Sequence, residues 1–117
     1  MVLLVHHSIS PQSRKVRLIM AEKKMLFVLK EEEPWKLSQD ILDINPSGDL
    51  PVLVFDGKVV AGNYAVTEYL EESNPQYKLL PEEPVARAEV RRIMDWFDTK
   101  FFNEVYKYIA VSYTHLR

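Results

Sequence analysis

Pro51 stands at the mouth of an apolar run, Leu50-Pro51-Val52-Leu53-Val54-Phe55, and constrains the chain more than any other feature. Proline cannot donate to a β-ladder, so it is confined to an edge, a first strand position or a bulge. The run stops at Asp56-Gly57 and resumes at Val59-Val60-Ala61. Asp-Gly between apolar runs signals a hairpin, because both turn residues must tolerate positive φ. The spacing then becomes helical, with Val66, Tyr69 and Leu70 on one face and Asn63 placed to cap it. Residues 50–70 thus predict a hairpin, Val52 to Phe55 with Val59 to Ala61, then a helix from Asn63 through Ser73.

Upstream, Val2 to Val5 reads as a short buried strand and His7 to Gln12 as a loop. Ser10-Pro11 is a helix start, with Ser as N-cap and Pro at the first helical position. The helix is expected through Ser13 to Lys24, with Val16, Ile19 and Met20 on its inner face, and a second strand over Leu26 to Lys30. Glu31-Glu32-Glu33 before Pro34 reads as a solvated strand end, and Trp35 to Asn45 as a weak helix stopped by Asn45-Pro46. The order β-α-β-α-β-β-α joins a right-handed βαβ unit to an antiparallel hairpin, which is the order of a thioredoxin-like domain of the α/β class. Residues 1–73 are assigned to that domain. Residues 74–84, with three prolines, form a linker, and residues 85–110 one long helix. Its apolar positions, Ala88, Ile93, Trp96, Phe97, Phe101, Val105 and Ile109, need partners that the sequence does not supply. The helix therefore reads as the start of an incomplete all-helical domain. Residues 111–117, Val-Ser-Tyr-Thr-His-Leu-Arg, match a translation of the mosaic-end adapter of transposase-made sequencing libraries and are expected to be a non-native tail.

Composition narrows the function. With 117 residues, 47% hydrophobic and 27% charged, the chain has the make-up of a soluble globular protein. A net charge of −2 gives no electrostatic footprint for nucleic acid. The absence of Cys excludes disulfides, thiolate metal sites and a cysteine nucleophile. The apolar start stops at His6-His7, short of a signal segment or membrane span, so a cytoplasmic protein is expected. His6-His7 have no Asp, Glu or Cys at ligand spacing, and no metal is expected.

Four segments in order carry a family resemblance: Ser10-Pro-Gln-Ser-Arg-Lys-Val-Arg-Leu18, Asn45-Pro-Ser-Gly-Asp-Leu-Pro-Val-Leu53, Ala65-Val-Thr-Glu-Tyr-Leu70 and Leu80-Pro-Glu-Glu-Pro-Val-Ala-Arg-Ala-Glu-Val-Arg-Arg92. Together they resemble a glutathione S-transferase, with a bacterial flavour at Met94-Asp-Trp-Phe-Asp98. The resemblance implies that glutathione is the co-substrate and lies over the start of the first helix. It implies that Ser10 is the catalytic residue, with Ser8 and Ser13 as lesser candidates. A thiol with a pKa of about 8.5 is mostly protonated at neutral pH, and a hydroxyl at a helix N-terminus stabilises the thiolate. The resemblance also makes Leu50-Pro51 the cis-proline edge whose backbone pairs with the cysteinyl part of glutathione.

Two positions depart from that pattern. Where most members of the family carry Glu-Ser for the γ-glutamyl end, this chain has Gly62-Asn63. Asn63 can still offer a hydrogen bond, but Gly62 has no carboxylate for the ammonium group. A lost charge-assisted hydrogen bond costs about 1.5–3 kcal/mol. Before Leu50, a Lys commonly meets the glycyl carboxylate; here Asp49 has the opposite sign, and Lys36 is the candidate to compensate. Trp35 and Tyr64 are read as packing, and Arg87, Arg91 and Arg92 as a solvated or dimer-facing surface.

The resemblance therefore implies a transferase that conjugates or reduces small electrophiles in detoxification, acting as a homodimer. The departures at Asp49 and Gly62 suggest a different class, a non-catalytic module that binds a protein partner. Stringent starvation protein A, similar to this chain in the linker and the helix after it, binds RNA polymerase in that way.

Overall fold

The computed structural model describes residues 1–109. Its first compact unit, Met1–Leu79, is a four-stranded mixed sheet covered on both faces. The strands are β1 (Val2–His6), β2 (Val28–Glu31), β3 (Val52–Phe55) and β4 (Lys58–Ala61), in the order β2-β1-β3-β4. β2 lies parallel to β1, and the β1–β3 and β3–β4 pairs are antiparallel. This is the α/β thioredoxin-like architecture, with the hairpin where Asp56-Gly57 predicts it; Asp56 and Gly57 both have positive φ, 48° and 72°.

Side-chain alternation divides the core in two. Leu4 and Leu53 point to one face, where they meet Val16 and Met20 of α1 (Pro11–Glu22) and Val66 and Leu70 of α3 (Asn63–Ser73). Val5 and Val52 point to the other and pack with Ile41 of α2 (Gln39–Ile44). A strand buried on both faces reads as a continuous apolar run, which is why Val2 to Val5 shows no polar alternation.

Several boundaries differ from the sequence reading, for polar reasons or for reasons of backbone conformation. α1 ends at Glu22, because Lys23 turns inward and Lys24 adopts a left-handed φ of 60°. Lys23 is 2% exposed. Its Nζ donates to the Asn74 carbonyl (3.2 Å) and the Tyr77 carbonyl (3.0 Å), and pairs with Glu71 at 3.0 Å. Glu71 in turn accepts from the Leu79 N–H, so one buried ammonium organises the whole 74–79 segment.

The acidic run is not simply solvated: Glu32 is buried between Lys30 Nζ and the Ser38 N–H, both at 2.8 Å. Those contacts, with the Lys36 N–H on the Glu33 carbonyl (2.9 Å), use residues 33–38 in a turn. The expected helix over 35–45 therefore shrinks to α2. Asn63 is the first helical residue of α3 and not its cap; Gly62, at φ 97°, is the N-cap and supplies no side chain.

The second unit begins at Leu80. It contains α4 (Pro84–Trp96), capped by the Glu83 carboxylate on the N–H groups of Val85 (3.0 Å) and Ala86 (2.7 Å). The single α-helix expected here widens into a π-helix over Phe97–Tyr106. At that junction the Thr99 hydroxyl donates to the Asp95 carbonyl (2.6 Å), competing for the acceptor of the helical ladder. Phe97 stacks on Phe101 at 5.1 Å and Phe102 on Tyr106 at 4.8 Å. The tail reading for 111–117 lies outside the described residues.

Removing one partner of a buried pair leaves the other charge uncompensated. Lys23→Met is expected to lower unfolding stability by about 3 kcal/mol, measured by urea titration. Lys23→Met with Glu71→Gln should recover part of that loss.

Candidate functional site

The sheet register assembles the site. Val5 pairs with Val52, and Val52 with Ala61. The loop leaving β1, the Leu50-Pro51 entry to β3 and the Gly62-Asn63 exit from β4 therefore share one end of the sheet. His6 pairs with Glu31, which adds the end of β2. The Leu50–Pro51 peptide is cis. The Pro51 carbonyl accepts from the Gly62 N–H at 3.0 Å, tying the start of β3 to the start of α3.

Ser10 is buried, with the extended backbone of an N-cap (φ −71°, ψ 128°). Its Oγ accepts from the Ser13 N–H at 3.3 Å, which leaves its own hydrogen to donate. The cap and a thiolate donor are thus compatible in one hydroxyl. Ser13 is fully buried, and its Oγ accepts from the His7 N–H at 3.3 Å, a structural post that leaves it no access to a ligand. Ser8 is exposed but engaged by Glu31 through both its N–H and its hydroxyl.

The other expected residues are placed less uniformly. Asn63 Oδ1 is buried and makes no hydrogen bond to the described residues, as does Thr67 Oγ1 one turn further along α3. A Cβ added at Gly62 would meet nothing within 4 Å, so the missing side chain leaves open space, although the φ of 97° strains any replacement. Asp49 serves its own turn, where its carboxylate accepts from the Ser47 hydroxyl (3.1 Å) and its carbonyl from Asn45 Nδ2 (2.7 Å). Lys36 is exposed in the turn after β2, and no contact among the described residues joins it to Ser10, Pro51 or Asn63. Trp35 packs edge-on against His7 at 5.2 Å, whereas Tyr64 is 79% exposed and packs on little. Among the described residues no group of three or more His, Asp or Glu is placed to hold a metal.

The electrostatics centre on Glu31, which reads as a solvated residue in the sequence. Burial pushes its carboxyl up, but the N–H and hydroxyl of Ser8, with His6 and His7, hold it below the usual glutamate value. His6 Nε2 lies 3.4 Å from Glu31. Burial lowers both imidazoles; Glu31 opposes this at each, while Arg17 and His7 add to it at His6.

A family model of the glutathione S-transferase N-terminal domain matches residues 9–73, spanning the α1 N-terminus, Pro51 and α3. The chain belongs to the glutathione S-transferase family. A glutathione S-transferase from Rhodospirillum rubrum F11 superimposes with a TM-score of 0.84 at 45% identity, covering 90% of this chain and 48% of that one. FtsZ-localized protein A of Caulobacter vibrioides (strain NA1000 / CB15N) is 40% identical over 106 residues, 87% of this chain and 46% of its own. A stringent starvation protein A homolog of Pasteurella multocida is 35% identical over 88 residues, 71% of this chain and 42% of its own. The chain spans less than half the length of these glutathione S-transferase relatives. No helix among its described residues is long and apolar enough to cross a membrane.

Because His6 and His7 bind protons more weakly folded than unfolded, the unfolded chain holds more protons just below pH 6.5. Stability is expected to fall as pH drops from 6.5 towards their folded values, with a further loss below 4.5 as Glu31 is protonated. Urea midpoints across pH should show this slope, and His7→Gln should flatten its upper part.

Proposed function

We propose that the protein is a cytoplasmic, homodimeric glutathione transferase that conjugates or reduces small electrophiles, with Ser10 holding the glutathione thiolate. The observation that carries this reading is the Ser10 hydroxyl, which accepts from the Ser13 N–H and keeps its hydrogen for a sulfur at the N-terminus of α1. The positive end of the helix adds to the preference for an anion there. In conjugation the thiol gives its proton to solvent, its sulfur forms a bond to the electrophilic carbon, and the leaving group departs with the electron pair of its own bond. The chain supplies proximity and a lowered thiol pKa. Leu50, ahead of the β3 ladder, offers main-chain groups to the cysteinyl part of glutathione. Asn63, at the first position of α3, is the candidate for the γ-glutamyl end, and Lys36 supplies a cation towards the glycyl end.

A second reading, a non-catalytic module that binds another protein, is favoured by Gly62. That residue leaves the γ-glutamyl ammonium without a carboxylate. Two relatives carry names that are not those of a transferase, FtsZ-localized protein A, named for its localisation with FtsZ, and a stringent starvation protein A homolog.

Isothermal titration of glutathione into the full-length protein separates the two. Binding near millimolar or tighter, about −4 kcal/mol, supports the transferase, and no heat moves the assignment to the interaction module. Ser10→Ala is expected to raise the pKa of the bound thiol, read from thiolate ultraviolet absorbance, and to cost about 1 kcal/mol of stability through loss of the cap. Gly62→Glu is expected to tighten glutathione binding roughly tenfold to a hundredfold, despite strain at that φ, because the space beside it is open.

A further inference from the structure

We propose that Glu31 is a positioning residue for the site: its carboxylate clamps the His7-to-Ser10 loop and so fixes where the Ser10 hydroxyl stands. The inference rests on the transferase reading for its chemical consequence, but its geometry is independent of that reading.

The loop between β1 and α1 is held in two ways. One set of bonds is internal to the turn: Ser10 N–H to the His7 carbonyl (2.9 Å), His7 N–H to Ser13 Oγ (3.3 Å) and Ser13 N–H to Ser10 Oγ (3.3 Å). These fix the loop against the start of α1 and leave Ser8, on its outer side, to side chains farther along the chain. Ser8 is nevertheless held at all three of its polar groups. Both Glu31 oxygens lie 3.0 Å from its N–H, and Oε1 lies 2.9 Å from its hydroxyl. The Ser8 carbonyl accepts from the Arg17 guanidinium at 3.1 Å. Glu31 holds two of these three groups from a different strand, so it anchors the loop to the sheet.

The clamp is charged and half exposed, with Ser8 held by a carboxylate kept ionised by the bonds it accepts, and bonds to an ionised acceptor are stronger than neutral ones. His6 lies against the same carboxylate and His7 within its field. Arg17 and Glu31 together grip Ser8 from α1 and β2, two residues before Ser10 in the chain. A loop released by Glu31 keeps its N-cap bond and its Arg17 bond but loses its tie to the sheet that carries Pro51. Displacement of a reacting group by about an ångström is enough to cost a hundredfold in rate.

The test uses the full-length protein with Glu31→Ala and Glu31→Gln. Amide hydrogen exchange at Ser8 and Ser10 is expected to accelerate about tenfold in Glu31→Ala, while Leu4 in the core strand is unchanged. In the same variant, conjugation of glutathione to a chromogenic aryl chloride should fall roughly tenfold to a hundredfold in kcat. The KM for glutathione should stay within about twofold and the pH profile should move up with the thiol pKa. Glu31→Gln keeps one acceptor oxygen for Ser8 and should recover most of both effects. Unchanged exchange at Ser8 and Ser10 overturns the clamp. Faster exchange with unaltered kcat and pH profile overturns the positioning role. If the wild-type protein neither binds nor uses glutathione yet Ser8 exchange accelerates in Glu31→Ala, the transferase reading fails and the clamp stands.

Discussion

One rung of the sheet, Val5 to Val52 to Ala61, determines what this chain can bring together. It sets where β1 ends, where β3 begins and where β4 gives way to α3. A slip of one residue in β3 would exchange Leu53 and Val52 between the two faces, and both faces are packed. The register is therefore enforced by burial on both sides, and the gathering of Ser10, Pro51, Gly62 and Asn63 at one end is its by-product. The hydrogen bond from Gly62 to the Pro51 carbonyl extends that pairing one step beyond the ladder.

On this frame the polar residues finish the site. Apolar packing places α1 against the sheet, but it does not specify the short loop before it, whose conformation is set by hydrogen bonds. Here those bonds come from side chains that are themselves buried or clamped: Ser13 from within, Glu31 and Arg17 from outside. Lys23 does the same at the opposite end of α1, where it gathers three oxygens around one ammonium. Both ends of this helix are thus fixed by charged or hydroxyl groups, and its middle by Val16 and Met20.

Much of the fold is legible in the sequence because its signals are local. Pro51, Asp56-Gly57 and Ser10-Pro11 each restrict φ or the donor count at one position, and the apolar runs supply the rest. What the sequence does not reveal depends on partners far along the chain. Glu32 looks like part of a solvated acidic run until Lys30 and Ser38 are placed beside it, and Glu31, half exposed as expected, does not announce its bonds to Ser8. Lys23 looks like an ordinary helix-end lysine until residues 74–77 fold over it. Asn63 reads as a cap because Asn favours caps, whereas Gly62 reaches the required backbone without strain and takes that position. The departures at Asp49 and Gly62 are visible as residue types, but the bond from Ser47 to Asp49 shows that the aspartate also has a turn to hold.

β2 has a consequence for the protein in concentrated solution. It is the outermost strand beside β1, and Val28 and Leu29 on it are nearly half exposed. An apolar edge of this kind is a template on which another chain can add a strand. The next residues are Lys30 and Glu31, and Glu31 is already committed to Ser8 and His6. An incoming strand would have to extend its ladder past two charged side chains, each already engaged within this chain. With Lys30, the residue that braces the site thus puts charge on this edge, which discourages fibrous self-association along it.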